Sequence, residues 1–222
     1  MAASVTIRRA IVAAARQLNA LGINQGTSGN ISVRRGTDML ITPSAVPYEK
    51  LRPEEIAEMP LAGEGGRWKG PRPPSSEWRM HRGILSGRPD AQAVVHAHPP
   101  HATALAMARR EIPACHYMAA VFGASPIRCA PYRPYGTAEL ASAAVAALEG
   151  RKACLLANHG VVVIGPTLER AMWLALELEA LARQYLLSLQ IGGPILLTSE
   201  EMAAIQERIA AYGLVSPARK RR

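Results

Sequence analysis

A short apolar segment that ends in two histidines, residues 94–98 (VVHAH), constrains the fold of this chain more than any other part of its sequence. Such a segment favours a β-strand, where the side chains of His96 and His98 point to the same face. Their Cα atoms would lie roughly 7 Å apart, a span that two imidazoles can close over one metal ion. A third histidine, His159, could complete the set and leave positions for water or substrate, as catalytic zinc sites require. The alternative is that His96 and His98 are ordinary surface or core residues that bind no metal.

The composition fits one globular domain of residues 1–222. A chain of 222 residues with 49% hydrophobic content can bury a core. No run reaches the roughly 18 consecutive apolar residues of a membrane span, so we expect no membrane association. Segment 1–18 lacks acidic residues, as transit peptides do, but its apolar positions suit one face of a first helix.

The cysteines and charges also narrow the class of protein. Cys115, Cys129 and Cys154 lack the count and spacing of a disulfide or cysteine-rich zinc framework, so we expect reduced thiols in the cytoplasm. The formal net charge is +9, but the basic residues are scattered, except for a terminal run 219–222 that is typical of a solvated tail. The chain shows no aromatic RNA-binding signature, so we expect no nucleic-acid partner. A positive excess suits a small anionic substrate.

Periodicity and capping signals predict helices and strands in mixed order. Thr137 and Thr167 are predicted N-caps, and Thr198 opens a capping-box pattern. Predicted strands cover residues 31–34, 39–41, 93–97, 154–157 and 161–164, and predicted helices cover 4–21, 76–87, 101 onward, 138–148, 168–189 and 199–211. This mixture predicts a layered α/β sandwich. Many short strands without regular βαβ units argue against a purely parallel sheet.

Three loops carry small polar residues suited to an anion. The loop 26–30 (GTSGN) combines glycines, which let the backbone approach a ligand closely, with hydroxyl and amide groups. Thr42-Pro43-Ser44 ends a second loop, and Ser75-Ser76-Glu77 lies at a predicted helix N-terminus, where free N–H groups favour phosphate. Each of these loops has an alternative interpretation without ligand binding, as a simple turn or as a helix cap.

The order of these motifs resembles that of the class II aldolase/adducin family. They are Gly29-Asn30, Thr42-Pro43-Ser44, Ser75-Ser76-Glu77, His96-Ala97-His98 and Asn158-His159-Gly160. Segments 112–118 and 129–137 extend the resemblance, which is strongest to the members that cleave L-fuculose 1-phosphate and spans roughly residues 5–190. It implies an α/β fold, a three-layer α/β/α sandwich with a central, largely antiparallel, nine-stranded sheet. It also implies a homotetramer with active sites between subunits.

The resemblance also implies a role for each matched residue. His96, His98 and His159 would hold Zn²⁺, although Mn²⁺ or Co²⁺ can share such a ligand set. Glu77 would be the acid/base beside the metal and could itself ligate the ion until substrate arrives. Tyr117 would reach into the neighbouring subunit's site, and Tyr212 is a weaker match to a second such tyrosine. The residues that would grip the substrate phosphate are Gly29, Asn30, Ser44, Ser75 and Ser76.

The implied reaction is the reversible, metal-dependent cleavage of a ketose 1-phosphate to dihydroxyacetone phosphate and an aldehyde. L-Fuculose 1-phosphate and a deoxy- or methylthio-pentulose 1-phosphate are the candidate substrates. A Lewis acid would stabilise the enediolate, and Glu77 would move the proton at its nucleophilic carbon. The held phosphate would supply binding energy away from the reacting carbons.

Other activities on the same metal site stay open. Epimerases of the family resemble Ser-Ser-Asp where this chain has Ser76-Glu77, which favours an aldolase, but a dehydratase or decarboxylase also needs only a metal-stabilised enolate. An adducin-like interaction domain would lack the metal ligands present here.

Two further residues qualify the interpretation. Ala45 stands where the family's phosphate loop commonly has glycine, and a positive φ there would strain it. His81, one helical turn beyond Glu77, is either a partner of that carboxylate or a core histidine.

Overall fold

The computed structural model describes residues 2–63 and 65–211, so Tyr212 and the basic run 219–222 lie outside the described residues. Two short 3₁₀ helices, Pro53–Glu55 and Tyr117–Phe122, join the longer elements. The helices are α1 Ala2–Ala20, α2 Trp78–Gly87, α3 Pro100–Met107, α4 Ala138–Ala147, α5 Leu168–Leu189 and α6 Ser199–Ala211. The strands are β1 Asn30–Arg35, β2 Asp38–Ile41, β3 Ala57–Pro60, β4 Ala93–Ala97, β5 Cys129–Ala130, β6 Ala153–Leu156 and β7 Gly160–Gly165.

The strands of the described residues form one sheet in the order β3-β2-β1-β4-β7-β6-β5. The prediction of a nine-stranded sheet is wrong, because this sheet has seven strands and is mixed, with β5 parallel to β6. Other extended segments form only single bridges, such as Ile112 with Ile127. Pro113 and Pro126 adjoin that bridge, and a proline has no N–H with which to continue a ladder.

Helices cover both faces of this sheet, which makes three layers. On one face, α1, α3 and α5 pack over a core that includes Ile31, Val95 and Val163. On the other face, α2 and α4 pack over a core that includes Met39, Val94 and Val162. Neighbouring strand residues thus belong to opposite cores, as the alternation of side chains along a strand requires. No helix among the described residues is long and apolar enough to cross a membrane.

Several predicted elements have the predicted bounds and caps. The strand that carries the first histidine runs over Ala93–Ala97, as expected, and Thr137 and Thr167 cap α4 and α5 through their side-chain oxygens. One boundary differs in a way that affects the site. Helix α2 begins at Trp78, so Glu77 is its N-cap residue and lies before the first turn rather than in it.

Central strand β4 sets the position of the histidines. It pairs antiparallel with β1 on one side and with β7 on the other, and His96 is registered with Asn30 and with Val162. Because β4 has a neighbour on both sides, its backbone hydrogen bonds are made within the sheet and its register is fixed. The end of β4 therefore meets the start of β1 and the start of β7 at one edge of the sheet.

The loop after β2 has an unusual backbone conformation at Ala45, where φ is +55°. A side chain with a Cβ is disfavoured in this left-handed region, by roughly 1–2 kcal/mol. Glycine would adopt this conformation without strain, whereas this chain has an alanine at the position. Ser44, the preceding residue, donates its hydroxyl hydrogen to the Pro74 carbonyl at 3.0 Å, which ties the loop to the segment before α2.

We expect Ala45→Gly to raise the free energy of unfolding by about 0.5–1 kcal/mol. Relief of the left-handed strain, ~1–2 kcal/mol, exceeds the extra unfolded-state entropy of glycine, ~0.4–1 kcal/mol. Urea denaturation monitored by circular dichroism measures this change. The matched control is Ala180→Gly on the exposed face of α5, which should lower stability by ~1 kcal/mol. A free energy of unfolding below that of the wild type would contradict the inference that Ala45 is strained.

Candidate functional site

Three histidines meet where β4, β7 and the turn before β7 come together. His96 is the buried fourth residue of β4, His98 follows the end of that strand, and His159 lies directly before β7. Their ring centroids are 4.9, 4.8 and 5.2 Å apart, and one nitrogen from each lies within 4.8 Å of the others. Nε2 of His96 lies 3.1 Å from Nε2 of His98. Three imidazole nitrogens that converge in this way suit a divalent transition metal.

The hydrogen bonding of His96 orients its ring for such a role. Its Nδ1–H donates to the Val161 carbonyl at 2.9 Å, so Nε2 is the nitrogen that faces the other two rings. A histidine ligand commonly donates its second ring N–H to a carbonyl or carboxylate, which fixes the tautomer and the ring orientation. The backbone of the paired strand β7 therefore fixes the orientation of this ring.

The protonation preferences of the three rings differ. Burial, reinforced by neighbouring histidines, lowers the pKa of His98 and of His159 to about 4, so both rings are neutral at physiological pH. Burial acts in the same direction on His96, but the Glu77 carboxylate outweighs it and raises the pKa of His96. A proton on His96 Nε2 would therefore compete with a metal ion for the same nitrogen.

Glu77 is buried against this cluster. Its Oε2 lies 3.0 Å from Nε2 of His96 and accepts a hydrogen bond from Nδ2 of Asn30 at 2.9 Å. Although burial alone would raise the pKa of Glu77, the charge of His96 and the hydrogen bonds from His96 and Asn30 hold it well below its usual value. Glu77 is thus a carboxylate at physiological pH.

The second oxygen of Glu77 is the strongest indication of a ligand at this point. Oε1 is buried and accepts no hydrogen bond from any residue of the described ranges, while Nε2 of His159 lies 3.4 Å from it. A buried charged oxygen without a partner is costly, and a bound cation or a substrate proton would satisfy it. The three imidazoles and this oxygen therefore fit a metal ion.

The small polar loops predicted from sequence face the same cavity, whose volume is about 500 Å³. The Ser75 N–H donates to the Thr42 carbonyl at 2.9 Å, which holds two of the loops side by side. The Glu77 N–H donates to Oγ of Ser75, so this serine caps the turn that carries the carboxylate. The predicted site residues that line the cavity are Gly29, Asn30, Ser44, Ser75, Ser76, Glu77, His98 and His159.

The first loop is held from two sides at Gly29. The Tyr48 hydroxyl donates to the Gly29 carbonyl at 2.7 Å, and a Cβ on Gly29 would lie 2.6 Å from Oδ1 of Asn24. That same oxygen accepts a hydrogen bond from the backbone N–H of His98 at 3.4 Å. Asn24 and Tyr48 thus fix the position of the loop 26–30 relative to the histidines. Neither residue belongs to a motif of the sequence, and no local pattern marks them.

Tyr117 lies elsewhere. Its side chain is 53% exposed on the 3₁₀ helix Tyr117–Phe122, and it is not among the residues that line the cavity of its own chain. The cavity instead receives Tyr132, Arg133 and Tyr135 from the loop before α4, which lies in segment 129–137 of the resemblance but was not predicted to supply site residues. The prolines at 131 and 134 were the one local signal that this loop has a defined conformation.

Comparisons with known proteins agree with the motif order. The family model "Class II Aldolase and Adducin N-terminal domain" matches residues 9–186. A 5-methylthioribulose-1-phosphate/5-deoxyribulose-1-phosphate aldolase from Rhodospirillum rubrum is 50% identical over 209 residues, which is 94% of this chain and 93% of the relative. The L-fuculose phosphate aldolase of Escherichia coli K12 is 46% identical over 94% of this chain and 96% of its own length.

A solved structure shows the same fold. An L-fuculose 1-phosphate aldolase superposes with a TM-score of 0.88 at 38% sequence identity, covering 92% of this chain and 96% of that protein.

We expect Gly160→Ala to weaken divalent-metal binding by about 10-fold or more, the range seen when the support of a ligand is disturbed. A Cβ at this position would lie 2.5 Å from Cδ2 of His98 and 2.6 Å from the Ala97 carbonyl oxygen, so the His98 ring must move. Isothermal titration of the stripped protein with Zn²⁺ measures the affinity. The matched control is Gly83→Ala in α2, where the added Cβ meets side chains only at 3.7 Å and beyond. Equal zinc affinities in the two variants would argue against His98 as a ligand.

Proposed function

This chain belongs to the class II aldolase and adducin family, and we propose that it is a metal-dependent aldolase acting on ketose 1-phosphates as one domain of residues 1–222. In this proposal it cleaves its substrate reversibly to dihydroxyacetone phosphate and an aldehyde. The candidate substrates are L-fuculose 1-phosphate and a 5-deoxy- or 5-methylthio-pentulose 1-phosphate, because the relatives named for these compounds are 46% and 50% identical to this chain.

The observation that carries the proposal is the position of Glu77 between two kinds of group. On one side lie the three imidazoles, which are suited to a metal ion, and on the other lie the serine and glycine loops, which are suited to a phosphate. An aldolase of a ketose phosphate needs both, together with a base within reach of the carbon between them. The unpartnered Oε1 of Glu77 supplies that base.

His96, His98 and His159 would hold the metal ion, with Glu77 as a further ligand before substrate binds. Zn²⁺ suits this ligand set best, and Mn²⁺ or Co²⁺ could replace it. When bound, the ion would act as a Lewis acid toward the negative charge that develops in the enediolate.

The remaining chemistry belongs to the residues of this chain. In the direction of bond formation, Glu77 removes the proton from the hydroxymethyl carbon of dihydroxyacetone phosphate, and in cleavage it returns that proton. Such general acid–base catalysis is typically worth ~10²–10⁴-fold in rate. Hydroxyl and backbone groups anchor the phosphate at Gly29, Asn30, Ser44, Ser75 and Ser76, and so fix the reacting carbon beside Glu77.

We also propose a homotetramer in which Tyr117 acts in the site of a neighbouring subunit. Its ring is half exposed and does not line the cavity of its own chain, yet the cleavage step needs a group that exchanges a proton with the aldehyde-side oxygen. A cytoplasmic location is part of the proposal, since the three cysteines are unpaired and a reducing compartment suits them.

We expect Glu77→Gln to reduce the release of dihydroxyacetone phosphate by at least ~10²-fold, because the amide cannot accept the substrate proton. A coupled assay with glycerol-3-phosphate dehydrogenase measures the release from a panel of ketose 1-phosphates, with zinc-loaded and chelator-stripped protein. The matched control is Glu54→Gln, an exposed carboxylate near the start of β3 that should retain full activity. Absence of release from wild-type protein that holds metal would contradict the aldolase and favour an epimerase, dehydratase or decarboxylase.

In this proposal Glu77→Gln and Tyr117→Phe are each inactive alone, and we expect activity to return when the two variants are co-expressed. If each site combines Glu77 of one subunit with Tyr117 of another, random mixing gives about a quarter of the sites both native residues. Affinity tags of two kinds isolate the mixed oligomers, and light scattering gives their subunit number. Mixed oligomers that are no more active than the separate variants would contradict the shared site.

A further inference from the structure

We propose that His81 and Ser32 are positioning residues that orient Glu77 through the side chain of Asn30, and that this arrangement leaves Oε1 of Glu77 as the oxygen that exchanges the substrate proton. This inference rests on the proposed function and deepens it. None of the three side chains needs to contact the reacting carbon for this role.

The four side chains form one continuous series of hydrogen bonds. Oγ of Ser32 lies 2.7 Å from Nδ1 of His81, and Nε2 of His81 is hydrogen-bonded to Oδ1 of Asn30. Nδ2 of Asn30 then donates to Oε2 of Glu77 at 2.9 Å. All four residues are buried, and His81 and Ser32 are fully inaccessible to solvent. Water therefore does not compete for these bonds.

Secondary structure brings the four residues together. Asn30 and Ser32 are alternate residues of β1 and so lie on the same face of the sheet, the face that α2 covers. Glu77 and His81 are four residues apart at the start of α2, which places them on one side of that helix. The result is a polar strip within an otherwise apolar interface between helix and sheet. Such a strip is tolerated only when its members satisfy one another.

The available donors and acceptors fix the direction of every bond in the series. The Glu77 carboxylate only accepts, so Asn30 must present its NH₂ group to Glu77 and its oxygen to His81. Nε2 of His81 must then carry the hydrogen, and Nδ1 must accept the hydrogen of the Ser32 hydroxyl. The His81 ring is fully buried and hydrogen-bonds to the uncharged groups of Ser32 and Asn30, so it is held neutral and has a single N–H to place. Only one arrangement satisfies all four groups.

This arrangement distinguishes the two oxygens of Glu77. Oε2 is occupied by the NH₂ group of Asn30, whereas Oε1 has no hydrogen-bond partner among the described residues and belongs to a side chain that lines the cavity. A flipped Asn30 amide would place an oxygen against Oε2, which would repel the carboxylate and rotate it. His81 prevents that flip because its Nε2–H needs the asparagine oxygen. The serine and histidine therefore determine which oxygen of Glu77 is free for the proton.

The first test is the tautomer of His81 in the metal-loaded protein. Two-bond ¹H–¹⁵N correlation spectra of the histidine rings identify the protonated nitrogen, and loss of one ring's signals in His81→Gln assigns them. We expect the neutral form with hydrogen on Nε2. A hydrogen on Nδ1, or a charged ring at neutral pH, would overturn the proposal. This measurement does not depend on catalytic activity, so it stands even if the proposed reaction is incorrect.

The second test follows proton exchange between dihydroxyacetone phosphate and D₂O by NMR, which reports the Glu77 step without any aldehyde. We expect His81→Leu to lower the maximal exchange rate by about 10-fold with KM and zinc content unchanged, because the three histidine ligands and the hydroxyl and backbone groups that anchor the phosphate keep their positions. His81→Gln retains an N–H that can reach Asn30, and should recover to within about threefold of wild type. Ser32→Ala, the smallest change, should lower the rate about threefold through loss of one hydrogen bond.

The matched control is Ile84→Val, which loosens the packing of α2 one turn further on and should leave the exchange rate unchanged. Full exchange in His81→Leu would overturn the proposal, and so would equal losses in the leucine and glutamine variants or a change confined to KM or zinc content. If His81→Leu does not fold, Ser32→Ala and the tautomer decide the question. Absence of exchange in the wild type would instead refute the proposed function, and so the two failures are distinguishable.

Discussion

The antiparallel pairing of β4 with β1 and with β7 is the constraint on which the candidate site depends. It places His96 beside Asn30 on one neighbour and beside Val162 on the other, and it brings the turn that carries His159 to the same edge of the sheet. The Val161 carbonyl, one residue along β7, orients the His96 ring. A slip of one residue in either register would turn His96 toward the opposite core, where α1, α3 and α5 pack. The convergence of the three histidines therefore follows from the register of these strands.

A second feature is the amount of polar and charged chemistry that the fold buries beside an apolar core. Glu77, His81, His96 and Asn30 are buried, yet each is partnered, and the one polar atom of this group without a hydrogen bond is Oε1 of Glu77. Burying such groups unpaired would cost several kcal/mol in total, so their mutual hydrogen bonds are a condition of stability as well as of chemistry. The same bonds restrict the carboxylate to one orientation. In the proposed function, preorganisation of this kind would place the base correctly before the substrate arrives.

The loops around the cavity show how backbone conformation serves the site. Gly29 has a φ of +74°, and a Cβ there would meet Asn24 and the His96 carbonyl, so only glycine allows this approach. Ala45 has a similar φ without glycine's freedom, and hydrogen bonds from Ser44 to the segment before α2 hold its loop in place. Strained positions of this sort persist where the surrounding contacts over-determine them, and they concentrate around ligand sites.

Local sequence determined a large part of this structure. The apolar run at residues 93–97, the caps Thr137 and Thr167 and the spacing of the histidines predicted the correct elements, because strand preference, capping and side-chain facing act over a few residues. The motif order predicted the family. Only the tertiary structure decided the seven-stranded mixed sheet, in which β3 and the two-residue β5 were not foreseen. It alone revealed Asn24 and Tyr48 beside Gly29, and the bonds from His81 through Asn30 to Glu77. These contacts join residues far apart in the chain, and their energies depend on burial and register, which no local pattern encodes.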